Sequence, residues 1–150
     1  MKKFITVALL VLVCVCCLTS CAKVEQEIGK AISVAAVDAV AAELDKEGVT
    51  YELADEQALA QAQAELKDEL DVELQGELTA ALVGEYTNSQ TGEWVKYWTF
   101  GFSATADADA VEELLRSEYE TEIEEGKAIV VNGGYIVNVT VSSMVIEQGE

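Results

Sequence analysis

Three features predict an α+β fold: helical periodicity in the first half of the chain, a switch to two-residue alternation after Leu78, and an acidic amphipathic segment set between two hairpin signals. Helices and strands come in runs rather than in strict alternation. The expected architecture is therefore two N-terminal helices followed by a β-β-α-β-β unit, with a four-stranded, largely antiparallel sheet.

The first helix is expected over 22–47. Val24, Ile28, Ile32, Ala35, Ala39 and Ala42 recur at threes and fours, and only Ser33 and Asp38 are polar between Ala31 and Ala42. A helix this apolar around most of its circumference is normally buried, and its alanines let another helix approach closely. Gly48 supplies the stop. A second helix is expected over 55–70, with Asp55 and Glu56 at its positive end and Leu59, Ala62, Leu66 and Leu70 along one stripe. The leucines continue at Leu74, Leu78 and Leu82, but strict fours drift by roughly 40° per step on a 3.6-residue helix. The helix therefore ends near Leu70, and Gly76 marks a turn.

The β-β-α-β-β unit spans 78–143. Leu78, Ala80, Leu82, Gly84 and Tyr86 alternate with Thr79, Ala81, Val83 and Glu85 as a strand, and Asn88-Ser89-Gln90-Thr91-Gly92 is a turn cluster. The return strand puts Trp94, Trp98, Phe100 and Phe102 on one face, interrupted by Lys96, with Val95, Tyr97, Thr99 and Ser103 on the other. Thr105 is the expected N-cap of the next helix, and Asp107 and Asp109 favour its positive end. Val111, Leu114, Leu115, Tyr119 and Ile123 form the apolar stripe of that helix, and Gly126 closes it. Strands over Lys127 to Val131 and Tyr135 to Ser142 flank Asn132-Gly133-Gly134, where Asn-Gly signals a two-residue hairpin turn. Residues after Met144 read as a fraying tail.

The segment before the first helix carries the sharpest motif. Met1-Lys2-Lys3 is a positive head, Phe4 to Leu18 an apolar run, and Leu18-Thr19-Ser20-Cys21 ends it with small residues before a cysteine. This resembles the lipobox of bacterial lipoprotein precursors. The resemblance implies that residues 1–20 are a signal peptide and that Cys21 becomes the new N-terminus, thioether-linked to a diacylglycerol whose acyl chains are of the palmitate class. It implies in turn a single domain over 21–150, attached to the membrane through the lipid on Cys21. The protein would then face outward from the cell membrane, on the plasma membrane or, in a two-membrane host, in the periplasm or at the outer membrane. The apolar run is shorter than the roughly 20 residues needed to span hydrocarbon. Two or three acyl chains hold stably where one binds reversibly.

The cysteines agree with this. Cys14, Cys16, Cys17 and Cys21 are the four in the chain. Processing leaves one, which the lipid consumes, so no disulfide framework and no cysteine metal site is expected. Charge narrows the partners further. The chain has 9 basic and 28 acidic residues, and loss of Lys2 and Lys3 leaves 7 against 28, a formal charge of −21. Such a polyanion does not neutralise phosphates, which excludes nucleic-acid binding. The acidity suits a basic or cationic partner, although solubility and self-repulsion alone also account for it.

Little in the sequence points to catalysis. Histidine is absent, which removes the commonest acid/base group and every His-dependent triad. Lys30 and Ser33 stand one turn apart but match no Ser/Lys motif. Asp107-Ala108-Asp109 begins like a calcium loop without its later ligands, so no metal and no cofactor is expected. Asn138-Val139-Thr140 fits a glycosylation sequon but falls inside a strand. Six of the ten aromatic residues crowd into the 17 positions from Tyr86 to Phe102. Trp98, Phe100 and Phe102 are expected in the core beneath the third helix, whereas Tyr86, Trp94 and Tyr97 lie nearer the hairpin tip and form the expected binding surface. The functional expectation is a lipid-anchored envelope protein that binds or scaffolds without catalysis. The alternatives are an envelope hydrolase using carboxylates and a structural oligomer through the alanine-rich first helix.

Overall fold

The structure, a computed structural model, describes residues 25–71 and 73–146. The expected signal peptide over 1–20, Cys21 and the start of the expected first helix lie outside the described residues. The elements are α1 (Glu25–Lys46), β1 (Thr50–Leu53), α2 (Glu56–Leu70), β2 (Leu78–Thr87), β3 (Trp94–Phe102), α3 (Thr105–Glu118), α4 (Glu120–Glu124), β4 (Ala128–Asn132) and β5 (Ile136–Ser142). No described helix is long and apolar enough to cross a membrane.

The α+β class holds, with one antiparallel sheet in the order β1-β2-β3-β5-β4. That sheet has five strands where four were expected. The addition, β1, pairs Thr50 with Glu85 and Leu53 with Leu82 along the outer edge of β2. Four residues with three exposed side chains carry no readable alternation. The strand exists because β2 offers it a partner, a non-local cause that no local pattern records.

Alternation along the strands sends side chains to two helical layers. On one face Leu82, Val95, Tyr97 and Ile136 pack under α1 through Ala36, Val37, Val40, Ala41 and Leu44. On the other, Phe102, Val130, Val137, Val139 and Val141 meet Ala108, Val111 and Leu115 of α3, flanked by Leu59, Ala62 and Leu66 of α2. The face that α1 buries differs from the expected one. Ile28, Ala35 and Ala42 are exposed, while Gly29, Ser33, Val37 and Leu44 point inward. A helix apolar on nearly all sides has no periodicity to choose its face, and close contact chooses instead. A Cβ on Gly29 would collide with the Ser103 carbonyl oxygen and lie 2.7 Å from Cε1 of Tyr135. One turn on, Ser33 Oγ donates to the Lys30 carbonyl at 3.0 Å and shares a 2.5 Å hydrogen bond with Thr79 Oγ1, which sits at a bulge of β2.

Three local expectations are corrected. The N-cap of α3 is Ala104, without a side-chain cap bond, and Thr105 is already helical. The expected helix through Ile123 breaks at Tyr119, so α4 is a separate short piece. Between β4 and β5 no two-residue Asn-Gly turn forms. Asn132 pairs with Val137, so four residues intervene, and the positive φ falls on Gly134 at 94°. Asn132 Oδ1 accepts from Gly134 N at 2.8 Å, an Asx-type closure that replaces the tight turn. The chain after Met144 is also tied back in part, since Ile146 N donates to the Gly126 carbonyl at 2.7 Å.

Candidate functional site

The three residues of the expected aromatic surface do not assemble. Positions 94 and 97 differ by an odd number, so a strand points them to opposite faces. Tyr97 is 2 % exposed in the core beneath α1, where burial raises its phenol far above the usual tyrosine range. Trp94 lies on the other face, half-buried, with the Lys96 ammonium 5.4 Å from its ring centroid. Tyr86, opposite Val95, stays partly exposed on the α1 side.

Other residues with chemical capacity are engaged in structure. Ser33 is fully buried in its hydrogen bonds and Lys30 pairs with Glu77 at 3.4 Å, so the two form no dyad. Asp107 is buried, and its two carboxylate oxygens accept from Gln75 N and Gly76 N, each at 2.8 Å, locking the α2–β2 connection against the start of α3. Its value lies in satisfying backbone donors, beyond the helix-dipole role its position suggests. Asn138 is 3 % exposed and donates to Thr99 Oγ1 at 2.8 Å, so the sequon is internal. Among the described residues no group of three or more His, Cys, Asp or Glu side chains is gathered as a metal site would require.

The described surface has a cleft where β3 passes between α2 and α3. Trp98, Phe100 and Val139 make its floor. Ala62, Glu65, Leu66 and Glu69 of α2 form one wall, and Leu114, Leu115, Glu118 and Tyr119 form the other, enclosing about 440 Å³. The wall residues on α2 follow 3, 4 and 7 after Ala62, a single helical stripe carrying apolar groups below and carboxylates above. Trp98 stacks on Tyr119 with ring centroids 6.2 Å apart and planes at 29°. Leu59, Ala62 and Leu66 are only half-buried, because α2 rides over the sheet beside α3 without sealing against it. The gap between the two helices leaves Trp98 and Phe100 half-buried instead of enclosed as expected.

The electrostatics of this cleft are one-signed. Glu65, Glu69 and Glu118 line it, and among the described residues no basic one does. The Tyr119 phenol is pushed above its usual range by burial first, then by Glu118 and Glu122. A second groove, of about 630 Å³ and bordered by α1, α2 and β2, mixes Lys30 and Lys67 with Glu56 and Glu77, beside Leu59, Ala60 and Ala64. Its charges cancel locally, and its floor lacks aromatic rings.

Compared with protein-family models, with curated proteins and with solved structures, the chain matches none. The case for a site therefore rests on the geometry of the cleft. Its signal was present in the sequence as Ala62, Glu65, Leu66 and Glu69 on one stripe. What no sequence pattern carried was that this stripe comes to face Leu114, Glu118 and Tyr119 across β3.

Proposed function

We propose that this chain is a lipid-anchored protein of the bacterial cell envelope that acts by binding, without catalysis. Attachment rests on Leu18-Thr19-Ser20-Cys21 after a short apolar run with a lysine head. Residues 1–20 are the removed signal peptide in this reading, and Cys21 carries the lipid. The binding role rests on one observation, the open cleft floored by Trp98 and Phe100. Pockets of roughly 300–1,000 Å³ with apolar walls and a few polar groups are the usual form of small-molecule sites. The absence of histidine and the structural engagement of Ser33 and Asp107 favour binding over reaction.

Anchoring is tested by Cys21→Ala in cells fed labelled palmitate. The wild type should take up label and sediment with membranes. The variant should take up none, and should either appear in the soluble fraction or persist as an uncleaved precursor. A variant that is still matured and still membrane-bound overturns the lipoprotein reading.

A further inference from the structure

We propose that the cleft between α2 and α3 takes a hydrophobic organic cation, an ammonium group carried on an aryl or alkyl body. The proposal rests on the binding reading above and names the ligand class for that site. Two independent features of the cleft select a cation. Glu65 and Glu69 stand on one lip and Glu118 on the other, so a bound charge is met from both sides. Below them, Trp98, stacked with Tyr119, offers aromatic rings, whose faces attract ammonium groups most strongly when the ring is tryptophan.

Among the described residues no basic side chain lines the cleft as a counter-ion. Lys67, the one basic residue of α2, is held by Glu73 at 2.8 Å, and Arg116, the one basic residue of α3, is held by Glu112 at 2.9 Å and by the Val130 carbonyl at 2.8 Å. An anion would meet three carboxylates. A neutral ligand would use the floor alone and gain nothing from the charge of the rim, which the −21 charge of the processed chain only reinforces. The upward shift of Tyr119, to which Glu118 and Glu122 contribute, reports the same negative field at the cleft wall.

The test is a calorimetric titration of the full lipid-bearing protein in nanodiscs of zwitterionic lipid, with empty nanodiscs as the blank. Phenyltrimethylammonium is the cation, 2-phenylethanol the neutral comparator and phenylacetate the anion. The cation should bind at least about tenfold more tightly than 2-phenylethanol, lose affinity as salt screens the rim, and phenylacetate should not bind. The triple change Glu65→Gln, Glu69→Gln, Glu118→Gln replaces exposed side chains, so folding is preserved. It should weaken the cation at least about tenfold and leave the neutral compound unchanged. Trp98→Leu should weaken both. Equal binding of the cation and the neutral compound, both lost in Trp98→Leu, overturns the cation class while the binding role of the cleft stands. Binding of none of the three overturns both readings, and cation binding untouched by the triple change overturns the placement.

Discussion

Single atoms set the spacing of this fold. Gly29 sits in a helix, where alanine is ordinarily more stable by about 1 kcal/mol. Yet the Cβ that alanine adds would strike the Ser103 carbonyl, a backbone atom that cannot swing aside. Gly29→Ala should therefore destabilise, by roughly 1–2 kcal/mol net of the propensity gain. Urea denaturation decides it by sign alone: a stabilised variant would mean that α1 does not approach the sheet this closely. Asp107 works in the opposite direction, by holding on. Its carboxylate accepts from two backbone N–H groups of the α2–β2 connection. Each charge-assisted bond contributes about 1.5–3 kcal/mol, but Gln75 is exposed and its freed donor finds water. Asp107→Ala should cost about 2–4 kcal/mol, and hydrogen exchange at Gln75 and Gly76 should accelerate before that of the sheet.

Turns and strand edges carry the next set of constraints. The positive φ of the β4–β5 connection belongs to Gly134, so Gly134→Val should lose more than about 1 kcal/mol, while Gly134→Asn, a residue that tolerates the left-handed region, should lose much less. Similar losses in both variants would place the strain elsewhere. This turn also shows where sequence reading stops. Asn132-Gly133-Gly134 announces a turn without saying which residue takes the left-handed position, because the register of Asn132 on Val137 decides that. The helices and the long strands were legible because their burial repeats along the chain: Trp98, Phe100 and Phe102 against Val95, Tyr97 and Thr99 alternate as a strand must. β1 was not, since a four-residue edge strand borrows its conformation from β2. The inward face of α1 was not either, because Gly29 and Ser33 mark it by being small. The cleft was half legible. Its floor and each wall follow from local periodicity, but the pairing of the walls is a tertiary fact.

Over the whole molecule, three described tyrosines tie stability to alkaline pH, Tyr51 through its hydrogen bond to Asp45 and Tyr97 and Tyr119 first through burial. Burial raises the Tyr97 phenol, and burial with Glu118 and Glu122 raises that of Tyr119. A raised folded-state value means the folded protein keeps a proton that the unfolded chain releases near pH 10. The contribution is complete below about pH 10 and is lost as pH climbs above it. Denaturation midpoints should thus be flat in this respect at neutral pH and fall above about pH 10, and Tyr97→Phe should flatten that fall. The sheet also controls its own edges. Arg116 occupies the Val130 carbonyl on outer strand β4, and β1 at the opposite edge is short and carries Glu52. The contact of Gly29 with the Ser103 backbone fixes which end of the sheet lies beside the start of α1. It places the start of α1 beside the end of β3, and the other end of β3, at Trp94, leads into the Asn88–Glu93 hairpin loop. Only three residues separate Cys21 from Glu25, a reach of at most about 14 Å from one Cα to the other. Under the lipid attachment proposed for Cys21, the two ends of β3 would differ in their distance from the anchor. The loops around Ser103 and Tyr135 would be the end nearer that anchor, and the Asn88–Glu93 hairpin, nine residues of β3 away, the far end.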